Sequence, residues 1–148
     1  MSRTKAADVR FYFDADVLGV AKVIAALRPD TTYPGDPGAT VNRRIRPACP
    51  VRPDAKDREW IPRVADLGWL IITRDSRIQH HLAELEAVRE SGAKMIALSG
   101  KEGNTKWNQL EIVMSSWRRI EAVAEEPGPF IQTATRTGLS RVDLDRRL

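Results

Sequence analysis

A chain of 148 residues, 42% hydrophobic and 30% charged, has room for one globular domain with a proper core and too little for two. No apolar segment approaches the ~20 residues of a membrane span, and the basic start Met1–Ser2–Arg3–Thr4–Lys5 lacks the apolar stretch of a signal peptide, so a cytoplasmic, non-membrane protein is expected. The lone Cys49 excludes an internal disulfide framework and a cysteine-rich zinc site, while the net charge of +4 weakly favours polyanionic partners.

Residues 9–13, short, aromatic and β-branched, read as a first strand that ends at Asp14–Ala15–Asp16. Apolar positions Val17, Leu18, Ala21, Ile24, Ala25 and Leu27 follow at near-helical spacing, and Pro29 ends the helix. Asp16 could cap that helix by accepting a backbone N–H, a reading that competes less for Asp14 at the strand end itself. Residues 31–33 suggest a brief second strand, and Pro34–Gly35–Asp36–Pro37–Gly38 a chain of turns. From there to Pro53 no periodicity is visible. This stretch carries Arg43, Arg44, Arg46 and Arg52, with no acid between Asp36 and Asp54. It reads either as a solvated basic loop or as an arm whose guanidinium forks contact phosphates.

The next helix spans 57–67, with Trp60, Ile61, Val64 and Leu67 on one stripe and Pro62 tolerated in its first turns. Asp57 stands at its start, where capping is the plain reading and Asp54 competes for it; Gly68 closes the helix. Trp69–Leu70–Ile71–Ile72–Thr73 then runs without a polar break to Arg74–Asp75, as a buried strand of a parallel sheet does. Ligands of open α/β sheets sit beyond the carboxyl ends of such strands, so Asp75 is placed where chemistry usually happens.

Ile78, Leu82, Leu85 and Val88 mark a further helix ending near Ser91–Gly92. His80 and His81 on it cannot share a face, and no third His or Cys completes a zinc set, so they read as surface residues, with Glu84 and Glu86 on the solvated face. Residues 94–98 form another strand. The turn Ser99–Gly100–Lys101–Glu102–Gly103–Asn104–Thr105 has the wrong order for a phosphate loop and reads as a strand-to-helix connection capped by Asn104 or Thr105. Trp107, Leu110, Val113 or Met114, Trp117, Ile120 and Val123 define a long amphipathic helix, stopped by Pro127–Gly128–Pro129. Residues 130–135 are expected as a last, edge strand, and 136–148 as a polar, arginine-bearing tail. The whole reads as a single α/β domain over 1–148, with its core at about 9–135 and a mainly parallel sheet.

Three acids fall at comparable places: Asp14 after the first strand, Asp75 after the buried one, and Asp57 at the start of a helix on the same sheet. Clustered carboxylates repel one another and stay ionised together only beside a cation. Oxygen-only ligands suit Mg2+ or Mn2+, and such a site can activate water and stabilise a phosphodiester under in-line attack. A phosphoacceptor receiver domain, with Lys101 as its lysine, gathers aspartates similarly, but the irregular stretch 34–53 and a missing strand–helix unit do not suit it.

Phe11–Tyr12–Phe13–Asp14–Ala15–Asp16–Val17 resembles the opening of PIN domains: a hydrophobic strand, Asp, a small residue, Asn/Ser/Asp, an aliphatic. Asp57–Arg58–Glu59–Trp60, followed by Gly68–Trp69–Leu70–Ile71–Ile72–Thr73–Arg74–Asp75, resembles the Asp-helix-strand-Thr-Arg-Asp segment of the PIN-like subgroup. Arg28–Pro29–Asp30, Tyr33–Pro34–Gly35–Asp36–Pro37–Gly38 and Thr133–Ala134–Thr135–Arg136–Thr137–Gly138 are similar to VapC-type toxin-like proteins within it. The resemblance covers most of the chain from about Phe11 onward.

It implies a three-layer α/β/α domain that cleaves RNA with Mg2+ or Mn2+, acts as the toxin of a toxin–antitoxin pair neutralised by a cognate antitoxin, and forms a homodimer. By motif match the metal acids are Asp14, Asp57 and Asp75, with Asp16 at the Asn/Ser-like position binding metal through water. Thr73 would orient Asp75 and Arg74 would reach a phosphate, with Arg43, Arg44 and Arg46 holding the RNA backbone. One departure matters. Typical PIN domains carry a further acid shortly after the third, whereas Ser76 and Arg77 stand here, which favours one metal over two and leaves open whether Glu59 joins the site. The alternative is a catalytically weak or inactive PIN-like module that binds RNA or a protein partner.

Overall fold

Residues 3–74 and 82–145 are described in the structure, a computed structural model. Its elements in chain order begin with a short strand β1 (Lys5–Ala6), β2 (Phe11–Phe13), a 3-10 turn at Ala15–Val17, α1 (Leu18–Leu27) and β3 (Thr31–Thr32). A hairpin of β4 (Ala39–Val41) and β5 (Arg44–Arg46) precedes α2 (Asp57–Asp66) and β6 (Leu70–Arg74). The chain continues with α3 (Leu82–Ser91), β7 (Lys94–Leu98), α4 (Lys106–Ala124), β8 (Phe130–Ala134) and β9 (Leu139–Arg141).

Successive side chains of a strand point to opposite faces of its sheet. In β2, β6 and β7 both sets are apolar, so both faces must be covered. Phe11, Phe13, Leu70, Ile72, Ile96 and Leu98 pack beneath α1 and α4, against Val20, Ile24, Ile112, Val113 and Ile120. Their neighbours Tyr12, Ile71, Met95 and Ala97 face α2 and α3, against Trp60, Ile61, Val64, Leu85 and Val88. The expected three-layer α/β/α architecture follows. Its central sheet has the order β3-β2-β6-β7-β8-β9, parallel throughout except for β9. Phe13 is in register with Ile72, and Ile72 with Ile96, so Asp14, just past β2, and Thr73, still in β6, lie side by side at the carboxyl end of the sheet. Among the described residues no helix is long and apolar enough to cross a membrane.

Three expectations are corrected. Residues 130–135 are not an edge strand, because residues 139–141 of the supposed tail pair antiparallel with β8 and become the edge. Val142 and Leu144 then pack against the α2–α3 side, so the core extends past residue 135. A three-residue strand is too short to show a period. Trp107, assigned to the buried stripe of α4, is 70% exposed. The true stripe runs through Gln109, Ile112, Val113, Ser116 and Ile120. Two of its members are polar and hidden: Gln109 Nε2 donates to Gly103 O and Ser116 Oγ to Thr135 O.

The third correction concerns the aperiodic stretch after Gly38, which contains an ordered hairpin. Its turn, Asn42–Arg43, has positive φ at both residues (49° and 62°), the geometry of a tight two-residue hairpin loop. β1 adds parallel to β5 on the other side. Arg46, expected to contact RNA, is buried (4% exposed) and donates through Nε to Asp36 Oδ2 at 2.6 Å. Its Nη1 donates to Ala25 O and Arg28 O at the end of α1. Asp36 also accepts from Thr32 Oγ1 and Gly38 N, both at 2.9 Å. Gly38 has φ +87°, and a Cβ there would lie 2.5 Å from Arg46 O. The Tyr33–Gly38 motif is therefore the socket of a buried ion pair that pins the hairpin to the domain, and Arg46 cannot reach a phosphate.

Candidate functional site

Asp14 ends β2 and begins the 3-10 turn, where its Oδ1 accepts from Ala15 N at 2.6 Å. Asp16 does not cap α1: the residue at that cap is Val17, which makes no side-chain cap bond, and Asp14 caps only the 3-10 turn. Asp16 turns inward to β6, where Thr73 Oγ1 lies 2.9 Å from its Oδ2 and 3.1 Å from its Oδ1. The same hydroxyl is 3.3 Å from Asp14 Oδ2. Arg74 N donates to Asp16 Oδ2 at 3.2 Å. Two carboxylates therefore share one hydroxyl proton at the carboxyl ends of adjacent parallel strands. Thr73 itself is buried, whereas Asp14 is half-buried and Asp16 exposed, so the pair faces solvent from a buried donor.

Asp57 stands in the first turn of α2 without capping it; the cap residue is Lys56, which makes no side-chain cap bond. Its Oδ1 accepts from Trp60 Nε1 at 3.0 Å instead. Its charge is felt by both other acids. Partial desolvation, then the charge of Asp16, raise the Asp14 carboxyl from 3.8 to about 6, against the bonds from Ala15 and Thr73. Asp57 adds a smaller upward push. Asp16 is raised too, chiefly by desolvation, while Thr73 and Arg74 oppose the shift. Arg74 Nε is buried and has no hydrogen-bond partner among the described residues.

Among the described residues the donors here are hard oxygens, and two repelling carboxylates are what a divalent cation relieves. Among the described residues no three His, Cys, Asp or Glu side chains come together as a metal-holding group. Magnesium commonly takes only one or two carboxylates and keeps several waters. Asp14 and Asp16 fit a site of that kind, with Asp57 at its margin. Asp75, Ser76, Arg77, His80 and His81 lie outside the described residues. Glu59 is exposed and lines a cleft on α2 with Lys56 and Arg63, not bonded to the Asp14–Asp16 pair.

The remaining arginines are not brought to the acids. Arg43 O accepts from Lys5 N, ahead of β2. Arg44 lines a cleft with Asp8, Arg28 and Asp30, and Asp30 O accepts from the first residue of β2. Arg43 and Arg44 therefore sit at the amino ends of the strands, opposite Asp14. Thr73 was expected to orient Asp75, which lies outside the described residues; among those described it joins Asp14 to Asp16. Its position, one strand residue beyond Ile72, was the only available signal.

A mainly parallel α/β/α domain with paired carboxylates at the carboxyl ends of neighbouring strands is the class that this fold and site define. A family model described as a PIN like domain matches residues 10–100, more than half of the chain, and the protein belongs to that family, in which nucleases are common. No curated protein and no solved structure matches the chain.

Proposed function

We propose that this protein is a Mg2+- or Mn2+-dependent endoribonuclease of the VapC-type toxin-like subgroup, acting in the cytoplasm as the toxin of a toxin–antitoxin pair. A cognate antitoxin and a second copy of the chain would be its protein partners. The observation that carries the reading is the sharing of the Thr73 hydroxyl by Asp14 and Asp16. A pair of carboxylates this close, one of them raised to about 6, is poised to exchange repulsion for a cation.

Asp14 and Asp16 would hold the cation, with Asp57 acting from α2 and Asp75 assigned by motif. When bound, it would supply Lewis-acid polarisation of a phosphoryl oxygen and a lowered pKa for water. Thr73 orients the pair. The Arg74 backbone N–H steadies Asp16, and its guanidinium, assigned by motif, would reach a phosphate.

The second reading, a catalytically weak or inactive PIN-like module that binds RNA or a protein, is favoured by one observation. Asp57 is not grouped with Asp14 and Asp16 as a third ligand among the described residues. Cleavage of single-stranded RNA in Mg2+ and in Mn2+ separates the two. The nuclease reading expects metal-dependent cleavage that Asp14→Asn, Asp16→Asn and Asp75→Asn each reduce by about 100-fold or more. Equal rates in wild type and all three variants would sink it.

A further inference from the structure

We infer that the cleft along the outer face of α2, bordered by Lys56 and Arg63, binds the phosphodiester backbone of single-stranded RNA beside the acidic site. This rests on the nuclease reading above and says where the substrate lies. The cleft has a volume of about 400 Å3 and is walled by residues 50–52 and 54–56 on one side and α2 on the other. Lys56, Glu59, Trp60 and Arg63 recur at the spacing of one helix face. Seven positions of helical rise set Lys56 and Arg63 about 10 Å apart along the axis.

The lining carries Arg52, Lys56 and Arg63 against Asp54 and Glu59. Arg52 lies 3.4 Å from Asp54, with both side chains largely in solvent, where such a pair contributes little. Lys56 and Arg63 have no ion-pair partner among the described residues. Three other clefts among the described residues are balanced or acidic: Arg58 faces Glu86 and Glu90 in one, Arg136 faces Glu111 in another, and Arg28 and Arg44 face Asp8 and Asp30 in a third.

Placement supplies the second argument. Lys56 immediately precedes Asp57, and Trp60, on the cleft wall, donates to Asp57 Oδ1. The cleft thus begins next to Asp57 and leads away along α2. Arg43 and Arg44 lie at the other end of the sheet, and Arg46 is buried. Trp60 is 4% exposed with its ring on Tyr12, so no aromatic face is offered to a base. The ligand class is the charged backbone, read without sequence preference.

Binding of a labelled short single-stranded RNA, measured in EDTA across a salt series, tests this with the full chain. Lys56→Ala/Arg63→Ala is expected to lose about tenfold in affinity and to flatten the slope of log K against log salt by about 1.4, the loss of two single-strand phosphate contacts. Lys56→Arg/Arg63→Lys should retain both, and Arg43→Ala/Arg44→Ala should match wild type. Unchanged affinity and slope in the first variant, with its thermal unfolding also unchanged, would overturn the cleft while leaving the nuclease reading standing. Wild type that binds no RNA would overturn both. Polyglutamate displacing RNA from the cleft at lower concentration than competitor RNA would assign it to an acidic polypeptide instead and overturn the inference.

Discussion

The indole N–H of Trp60 donates to Oδ1 of Asp57 at 3.0 Å. The two residues are three apart in the first turns of α2, and the Trp60 ring packs 5.1 Å from that of Tyr12, two residues before Asp14. One buried side chain thus spans from the strand that carries one acid to the carboxylate of another. Trp60 is a positioning residue for Asp57: it occupies one of the two carboxylate oxygens. Trp60→Phe keeps an aromatic ring against Tyr12 and deletes the donor. The expected result is about a tenfold loss of Mn2+ affinity, the scale of outer-shell changes. Electron paramagnetic resonance of free Mn2+ measures it, and thermal unfolding in EDTA should change little.

Among the described residues, Thr73 donates the one hydrogen set between the two carboxylates of Asp14 and Asp16. In Thr73→Val that donor is lost while Asp14 and Asp16 remain together. A decrease of about 1–3 kcal/mol in unfolding free energy at pH 7 is expected without metal. Saturating Mn2+ should recover part of it, because the cation replaces the lost proton. Urea titrations with and without Mn2+ read both quantities.

Acidity offers a third check. Asp14 titrates near 6 in the folded chain against 3.8 as a free side chain, so the folded state holds its proton more tightly. Stability from this group is fully present below about 3.8 and is lost as pH rises through about 6. Melting in EDTA, compared between wild type and Asp14→Asn, isolates the group from other carboxylates. Wild type should lose stability relative to the variant between those limits, by at most about 3 kcal/mol. Mn2+ affinity should run the other way and weaken as pH falls below about 6, since proton and cation compete for Asp14. A constant difference between the two melting curves across this range would contradict the assignment.

Arg46 and Asp36 form a buried pair, with side-chain exposures of 3% and 1%. Arg46→Ala leaves Asp36 charged and unpartnered and should cost about 3–5 kcal/mol. Denaturant unfolding measures this. If Arg46 were instead an RNA contact, the variant would lose affinity with little change in stability.

The order of strands and helices could be read along the chain because uninterrupted apolar runs such as residues 70–73 require burial on two faces. Asp14 and Asp57 were recognisable for the same reason, each at a boundary that such a run or stripe defines. Short, mostly exposed pieces were not. β9 and the β4–β5 hairpin have three residues per strand and mostly exposed faces, so no period marks them. In α4 the polar Gln109 and Ser116 occupy buried positions, which rotated the expected stripe toward Trp107.

Charge and residue type alone made Arg46 resemble Arg43 and Arg44, yet one is sealed against Asp36 and the others face solvent. Local sequence therefore decided which elements form and where carboxylates could stand. Which of them meet was decided by the register of β2 on β6, which sets the Thr73 hydroxyl beside Asp14 and Asp16 from 57 positions or more along the chain. A hydrogen bond acts over about 3 Å, and only the assembled sheet brings such distant residues within that reach.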